Sequence, residues 1–174
     1  YTVDCFTDRN GKLRYIGPRI RNRVMNGISV NTSPINDSSN EFRYVIKKIN
    51  EKIRFRGAWF AQFKRDENGE LTLLEIASRI GGSSSLFRNK GVNFALLSLF
   101  DAFEMDVDII ENNYEIVMDR ALGNKYKLNI KYNEVYIDFD DCIMLDGQTI
   151  NTQLLSFIYQ CINEKIKTTL ITRH

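Results

Sequence analysis

The sequence predicts an α+β domain on a largely antiparallel sheet, followed by a short α/β unit of strand, helix and parallel strand. Three observations predict it. Apolar segments of period two, joined by Asp-Arg-Asn-Gly and Asp-Glu-Asn-Gly turns, signal hairpins. Apolar residues at i, i+3 and i+4 in later segments signal helices. Segment composition changes near residues 129–134, and beyond it one strand, one helix and a second strand make a βαβ unit, whose crossover is almost always right-handed.

Residues 1–7 alternate as a strand, and Asp8-Arg9-Asn10-Gly11 turns the chain into a second strand at 13–16. Residues 19–25 and 28–32 follow as strands around Asn26-Gly27. Ser38 or Ser39 is the expected cap of a helix carrying Phe42, Val45, Ile46, Ile49 and Ile53, which Gly57 ends. Residues 58–64 and 70–77 form a hairpin. Gly81-Gly82-Ser83-Ser84-Ser85 reads as a loop, and 92–103 as a buried helix. Strands are expected at 107–110, 114–121 and 126–130, then the boundary, giving domains 1–130 and 131–174. The second domain holds strand 135–139, an acidic loop, a helix at 150–165 with Leu154, Leu155, Ile158 and Ile162 on one face, and strand 168–172.

Composition excludes several classes. Hydrophobic residues at 43% and charged residues at 26% match a folded globular chain. A net charge of +2 gives no mandate for nucleic acid or an anionic membrane. No apolar run approaches the roughly 18 residues of a membrane span. Cys5, Cys142 and Cys161 are far apart, so neither a disulfide scaffold nor a CxxC zinc site is indicated. Cys161 reads as a small buried hydrophobe, and Lys47, Lys48 and Lys52 as the wet face of a helix. The one histidine is His174, which argues against Ser-His-Asp and Cys-His chemistry and leaves catalysis to carboxylates, Arg, Lys, Gln or Thr. Asp101, Glu104, Asp106 and Asp108 read as a solvated helix end, with a cation site as the alternative. The chain opens on Tyr1 with a strand under way and carries no signal peptide, so the expectation is a piece of a longer cytoplasmic polypeptide.

Two constellations carry chemistry. If residues 66–69 connect Arg65 opposite Glu70, Gln62 lies opposite Leu73, and Glu75 sits diagonally from Gln62 on the same face. Such neighbours are roughly 7–8 Å apart, a gap two oxygen-bearing side chains bridge through one cation. Arg79 stands four residues further on. The alternative is a pair of solvated residues on a half-exposed hairpin. Trp59-Phe60-Ala61-Gln62-Phe63 followed by Leu74-Glu75-Ile76-Ala77-Ser78-Arg79-Ile80-Gly81-Gly82 resembles the end of the ATP-grasp fold, in its carbamoyl-phosphate-synthetase-like branch. Residues 1–4, with Arg19, Arg21 and Gly27-Ile28-Ser29, resemble the preceding part, so the likeness covers about residues 1–121. It implies ATP and Mg²⁺ as cofactors, Gln62 and Glu75 as metal ligands, Arg79 and Arg21 stabilising charge, and Arg19 among the cofactor-binding groups. Ala77 and Ser78 depart from the family's Asn and Pro. Ser83 to Ser85 offer donors to a substrate or form a plain flexible loop. The family's glycine-rich phosphate loop and ATP-binding lysines are not in this chain.

Asp138-Phe139-Asp140-Asp141-Cys142 ends the strand Val135-Tyr136-Ile137. In a parallel βαβ unit both strands end on one sheet edge, which brings Asp138 and Asp140 beside Thr172, the edge where ligands of open α/β sheets bind. Two carboxylates there can hold Mg²⁺ and divide nucleophile and acid/base roles; a solvated acidic turn is the alternative. The pattern resembles the first motif of the haloacid dehalogenase (HAD) superfamily, with Leu170-Ile171-Thr172 similar to its second. That implies Asp138 as nucleophile, Asp140 as general acid/base, both as metal ligands, and Thr172 on phosphate. The expected function is ATP- and Mg²⁺-dependent joining of a small-molecule carboxylate to an amine or similar nucleophile, within a fusion that also holds the first ATP-grasp half and the rest of the HAD-like domain. A phosphohydrolase acting on a small phosphoester is the alternative, and a non-catalytic binding module a third. The sequence sets no oligomeric state.

Overall fold

A computed structural model describes residues 1–121 and 125–172 of the chain; His174 lies outside them. The chain divides into two compact units, Tyr1–Asn129 and Ile130–His174. In chain order the first holds β1 (Thr2–Thr7), β2 (Leu13–Met25), β3 (Ile28–Pro34), α1 (Glu41–Lys52), β4 (Gly57–Arg65), β5 (Leu71–Ala77), α2 (Ser85–Asn89), α3 (Phe94–Ala102), β6 (Ile116–Asp119) and β7 (Lys125–Leu128). Its strands form one antiparallel sheet of order β5-β4-β1-β2-β3-β6-β7.

Strand β1 is buried along its whole length, because both of its faces are covered. Its odd positions Val3 and Cys5, with Trp59, Ala61 and Phe63 of β4, pack against Phe42 and Ile46 of α1. On the other face Phe6 and Tyr15 pack with Leu86 and Phe87 of α2, Phe94 and Leu97 of α3, and Ile116 and Met118 of β6. Burial of several such side chains, each worth about 1.5–3 kcal/mol, holds the two layers on the sheet.

Several sequence expectations are corrected here. The strands expected at 13–16 and 19–25 are one strand, β2. Pro18 sits within it because its carbonyl accepts from Ile35 N at 2.9 Å, so its missing N–H faces the β3 side and breaks no bond to β1. Neither Ser38 nor Ser39 caps α1: the N-cap is Asn40, at φ 56, and the Asp37 carboxylate accepts from the amides of Phe42 at 3.4 Å and Arg43 at 3.0 Å. No strand forms at 107–110. Arg14 Nη2 donates to Val107 O at 2.8 Å, and Val107 and Ile109 pack on the core beneath α3. Helix α3 is shorter than expected and leaves Leu96 and Leu99 exposed. The loop of glycines and serines at 81–85 leads into α2, and Ser83 and Ser84 are buried. Asp101 is no solvated helix end: it is buried, accepting from Arg56 Nε at 2.7 Å and Arg9 N at 2.6 Å.

The second unit holds β8 (Glu134–Asp138), a small hairpin of β9 (Met144–Leu145) and β10 (Thr149–Ile150), α4 (Thr152–Asn163) and β11 (Lys167–Ile171). Strands β8 and β11 are parallel, as the βαβ pattern requires. Asn151 caps α4, accepting from Leu154 N at 3.1 Å. The inward face of α4 differs from the expected one. Cys161 is buried and Leu154, Phe157 and Ile158 are half-buried, whereas Leu155 and Ile162 are exposed. Among the described residues no helix is long and apolar enough to cross a membrane.

Candidate functional site

Strand pairing sets the first constellation. Along one row of the sheet stand Glu75 of β5, Gln62 of β4, Thr2 of β1 and Arg19 of β2, each paired with the next. Directly paired residues share a sheet face. Arg21 follows two positions after Arg19 and joins that face. Gln62 is therefore opposite Glu75, not opposite Leu73 as the turn length suggests. Two one-residue shifts cause the change: Arg65 pairs with Leu71 rather than Glu70, and a β-bulge follows where pairing runs Phe63 with Leu73 and then Gln62 with Glu75, so Leu74 is the extra residue. The same-face placement survives, and the pair is closer than the diagonal predicts.

Side chains link across this row. Arg21 Nη1 donates to Gln62 Oε1 at 3.0 Å, and Gln62 Nε2 donates to Glu75 Oε2 at 2.8 Å. Arg21 Nη2 also donates to Gly27 O at 2.6 Å, in the turn where Asn26 and Gly27 both adopt positive φ. Glu75 is exposed, while Gln62 and Arg21 are half-buried. Arg79 lies with Cζ 4.9 Å from the centroid of the Phe60 ring, and Phe60 pairs with Asp4 and Ala77 on the same face. Ala77, where the likeness leads one to expect Asn, brings only a methyl group.

Beneath the start of the 81–84 segment lies a buried ion pair. Arg19 Nε donates to Asp4 Oδ2 at 2.7 Å, with both side chains at most 4% exposed. Burial pushes the Asp4 carboxyl above the usual aspartate range, and the Arg19 charge opposes that rise. Gly81 sits so close that a β-carbon there would fall 2.4 Å from Asp4 Oδ1. A β-carbon on Gly82 would fall 2.8 Å from Arg120 Nη1. Arg19, expected among the cofactor-binding groups, is thus withdrawn under the loop and supports it from below. The placement of Arg120 against Gly82, and of Asp4 in a buried pair beneath Gly81, was not read from the sequence. Asp4 did carry a signal, as the one acid inside an otherwise apolar and hydroxyl-bearing strand.

The donor set fits a divalent cation in one specific sense. A carboxylate and a carboxamide oxygen on adjacent strands suit Mg²⁺, which keeps waters and takes phosphate oxygens for its other positions. Among the described residues no group of three or more His, Cys, Asp or Glu side chains gathers to hold a metal by itself. Glu75 and Gln62 would supply only part of a coordination shell.

In the second unit Ile171 pairs with Asp138, and Phe139 N donates to Ile171 O at 2.8 Å. Thr172 Oγ1 donates to Asp140 Oδ2 at 3.1 Å. The turn through Asp141, at φ 58, bends the chain back so that Ile143 N donates to Phe139 O at 3.1 Å. The structure thus brings Asp140 onto Thr172 and places Asp138 at the same strand end.

The comparisons with known proteins agree with the first unit. Solved structures share its fold at low identity. The biotin carboxylase domain of 2-oxoglutarate carboxylase from Hydrogenobacter thermophilus, a dimer in complex with MgADP, ADP and bicarbonate, has a TM-score of 0.59 at 17% identity, covering 68% of this chain and 28% of that one. N5-carboxyaminoimidazole synthetase from Staphylococcus aureus gives 0.57 at 18%, covering 68% and 33%. The phosphoribosylaminoimidazole carboxylase ATPase subunit from Aquifex aeolicus gives 0.58 at 19%, covering 69% and 39%. The chain therefore spans between 28% and 39% of the length of these three. No curated protein matches it. A family profile does, over residues 1–124, and through that match the chain belongs to the ATP-grasp family described as acting in the biosynthetic pathway with the Ter operon.

Proposed function

We propose that the first unit is the later part of an ATP-grasp domain whose complete protein joins a small-molecule carboxylate to an amine or similar nucleophile, with ATP and Mg²⁺. The observation that carries this reading is the Gln62–Glu75 pair, 2.8 Å apart on one open face and flanked by Arg21 and Arg79. In the reaction a carboxylate oxygen takes the γ-phosphoryl group, releasing ADP. The nucleophile then attacks the acyl carbon, expels inorganic phosphate and loses its proton to solvent or base. Glu75 and Gln62 would hold Mg²⁺, which when bound neutralises phosphate oxygens. Arg79 lies over Phe60, with Nη1 donating to Ile80 O at 3.4 Å, and its exposed guanidinium suits it to charge on the transferring group. Arg120 stands over Gly82 and adds a second cation for an acidic substrate. Arg19 and Asp4 position the backbone between these two arginines.

The second unit favours a further reading. The bond from Thr172 to Asp140, with Asp138 at the same strand end, supports the start of a HAD-like domain acting as a phosphohydrolase through Asp138, and the two units together support a fusion protein.

The test for the first reading is Glu75→Ala in the full-length protein. Mg²⁺-dependent ATP turnover should be lost while the far-ultraviolet circular dichroism stays unchanged, because Glu75 is exposed. Undiminished turnover refutes the assignment.

A further inference from the structure

Gln62 is held between two neighbours of opposite hydrogen-bonding character, and that arrangement has a consequence for ligand binding. A carboxamide has one accepting end and one donating end. Arg21 can only donate and the Glu75 carboxylate can only accept, so the contacts at 3.0 and 2.8 Å fix the orientation. Oε1 faces Arg21 and Nε2 faces Glu75. In that orientation the group offers N–H, not a lone pair, to the space beside Glu75.

We infer that the Gln62 carboxamide is a two-position coupler between metal and anion, with Arg21 as the positioning residue that sets its resting position; the inference rests on the metal assignment proposed for Gln62 and Glu75. A cation shared by these two side chains needs Oε1 on the Glu75 side, so the carboxamide must turn end for end. Turned, Nε2 meets Arg21 Nη1, donor against donor, and the 3.0 Å contact cannot persist. Arg21 is not cast loose, because Nη2 keeps its bond to Gly27 O at 2.6 Å. Its Nη1 is released toward the open face, where an anion's oxygen can take it. The converse follows by linkage. An anion that occupies Nη1 removes the partner of Oε1 and lowers the cost of turning, so metal and anion strengthen one another by the same factor. The device requires glutamine. A glutamate at position 62 would present oxygen to both sides, so nothing would turn and no coupling would arise. Arg23 lies close in sequence but pairs with Asp119 at 3.3 Å and takes no part.

The experiment measures Mn²⁺ affinity of the full-length protein by electron paramagnetic resonance, with and without saturating inorganic phosphate; phosphate's own hold on Mn²⁺ cancels between wild type and variants. Phosphate should tighten Mn²⁺ binding about tenfold in the wild type, within the usual range of site-to-site coupling. In Arg21→Met the metal should bind tightly without phosphate, and the dependence should fall below about twofold. Gln62→Glu should flatten the dependence likewise. Arg23→Met, which removes the same charge without touching Gln62, should keep the wild-type dependence. A wild type indifferent to phosphate, or an Arg21→Met variant that keeps the tenfold effect, overturns the coupling. Glu75→Gln separates the two levels. If it leaves Mn²⁺ binding unchanged, the metal assignment fails and the coupling with it. If it weakens binding while phosphate still has no effect in the wild type, only the coupling fails.

Discussion

Gly81→Ala tests whether the 81–84 segment is a rigid support or a loose loop. The added β-carbon would sit 2.4 Å from Asp4 Oδ1 and 3.6 Å from Arg19 Nη2. An aspartate side chain is short, and this one is 1% exposed and bonded to Arg19 at 2.7 Å, so it has nowhere to move. The loop must lift or the ion pair must break. Overpacking of this kind costs about 1–3 kcal/mol. For a chain of this size about 2 kcal/mol lowers the unfolding midpoint by about 4–8 °C. Gly82→Ala is the internal control. Its β-carbon meets the far end of Arg120, an exposed and flexible side chain that can swing aside. That variant should melt within about 2 °C of wild type, since a surface change costs no more than about 0.5 kcal/mol. It should instead weaken binding of an acidic substrate, because Arg120 is displaced. Thermal unfolding followed by circular dichroism reads both. Equal midpoints for Gly81→Ala and wild type would show that the segment yields freely and that the Asp4–Arg19 pair supports nothing.

Three further outcomes are expected. Leu97→Ala should cost about 2–5 kcal/mol in urea unfolding, because Leu97 is 8% exposed within the core beneath α3; a loss under about 1 kcal/mol would mean the helix is peripheral. The Asp101 carboxyl is held below its ordinary value, since hydrogen bonds from Arg56 and from Arg9 N outweigh the effect of burial. Its contribution to stability is thus present above the unfolded value of about 3.9 and is lost as the pH falls through the lower folded value. Asp101→Asn should flatten that acid limb when urea midpoints are compared between pH 7 and pH 2.5, and an unchanged limb would discard the assignment. In the second unit Asp138→Asn should abolish hydrolysis of an aryl phosphate by the full-length protein without altering its ATP-dependent ligation; loss of ligation as well would refute two separate sites.

What the sequence made legible was local. The turns Asp8-Arg9-Asn10-Gly11 and Asp66-Glu67-Asn68-Gly69 mark their hairpins because Asp8 and Asp66 accept the amides two and four residues on. Gln62 and Glu75 could be placed on one face because period two survives along each strand. Their register could not be read, since nothing in the turn shows that Glu70 faces Asp66 and Leu71 faces Arg65, and nothing about Leu74, a leucine among leucines, announces a bulge. Val107 and Ile109 alternate with Asp106 and Asp108 as a strand would. That alternation is satisfied instead by apolar packing on the core and by Arg9 and Arg14 drawing the two carboxylates outward. Helix α2 has five residues, no side-chain cap and a run of glycine and serine before it, so its formation rests on burying Leu86 and Phe87. No local propensity encodes that.

The distribution of burial over the first unit bears on how its site can be tested. The supports, Asp4, Arg19, Phe60 and Ser83, are all less than 5% exposed. The groups that would meet a ligand, Glu75, Arg79 and Arg120, are exposed. Changing a support removes packing or leaves a charge buried without its partner, which is costly in either case. Changing an exposed group alters stability by no more than about 0.5 kcal/mol. The buried supports and the exposed groups proposed to meet a ligand are therefore different residues, with the half-buried Gln62 and Arg21 between the two sets. The sharpest consequence concerns Arg79 and Arg19. Arg79→Met should lower ATP-dependent turnover at an unchanged melting temperature, because only the contact over Phe60 and a weak backbone bond are lost. Arg19→Met should lower both, because it strands the Asp4 carboxylate beneath Gly81. If Arg19→Met melts like the wild type yet loses turnover, Arg19 reaches the ligand directly, and its placement as a support is wrong.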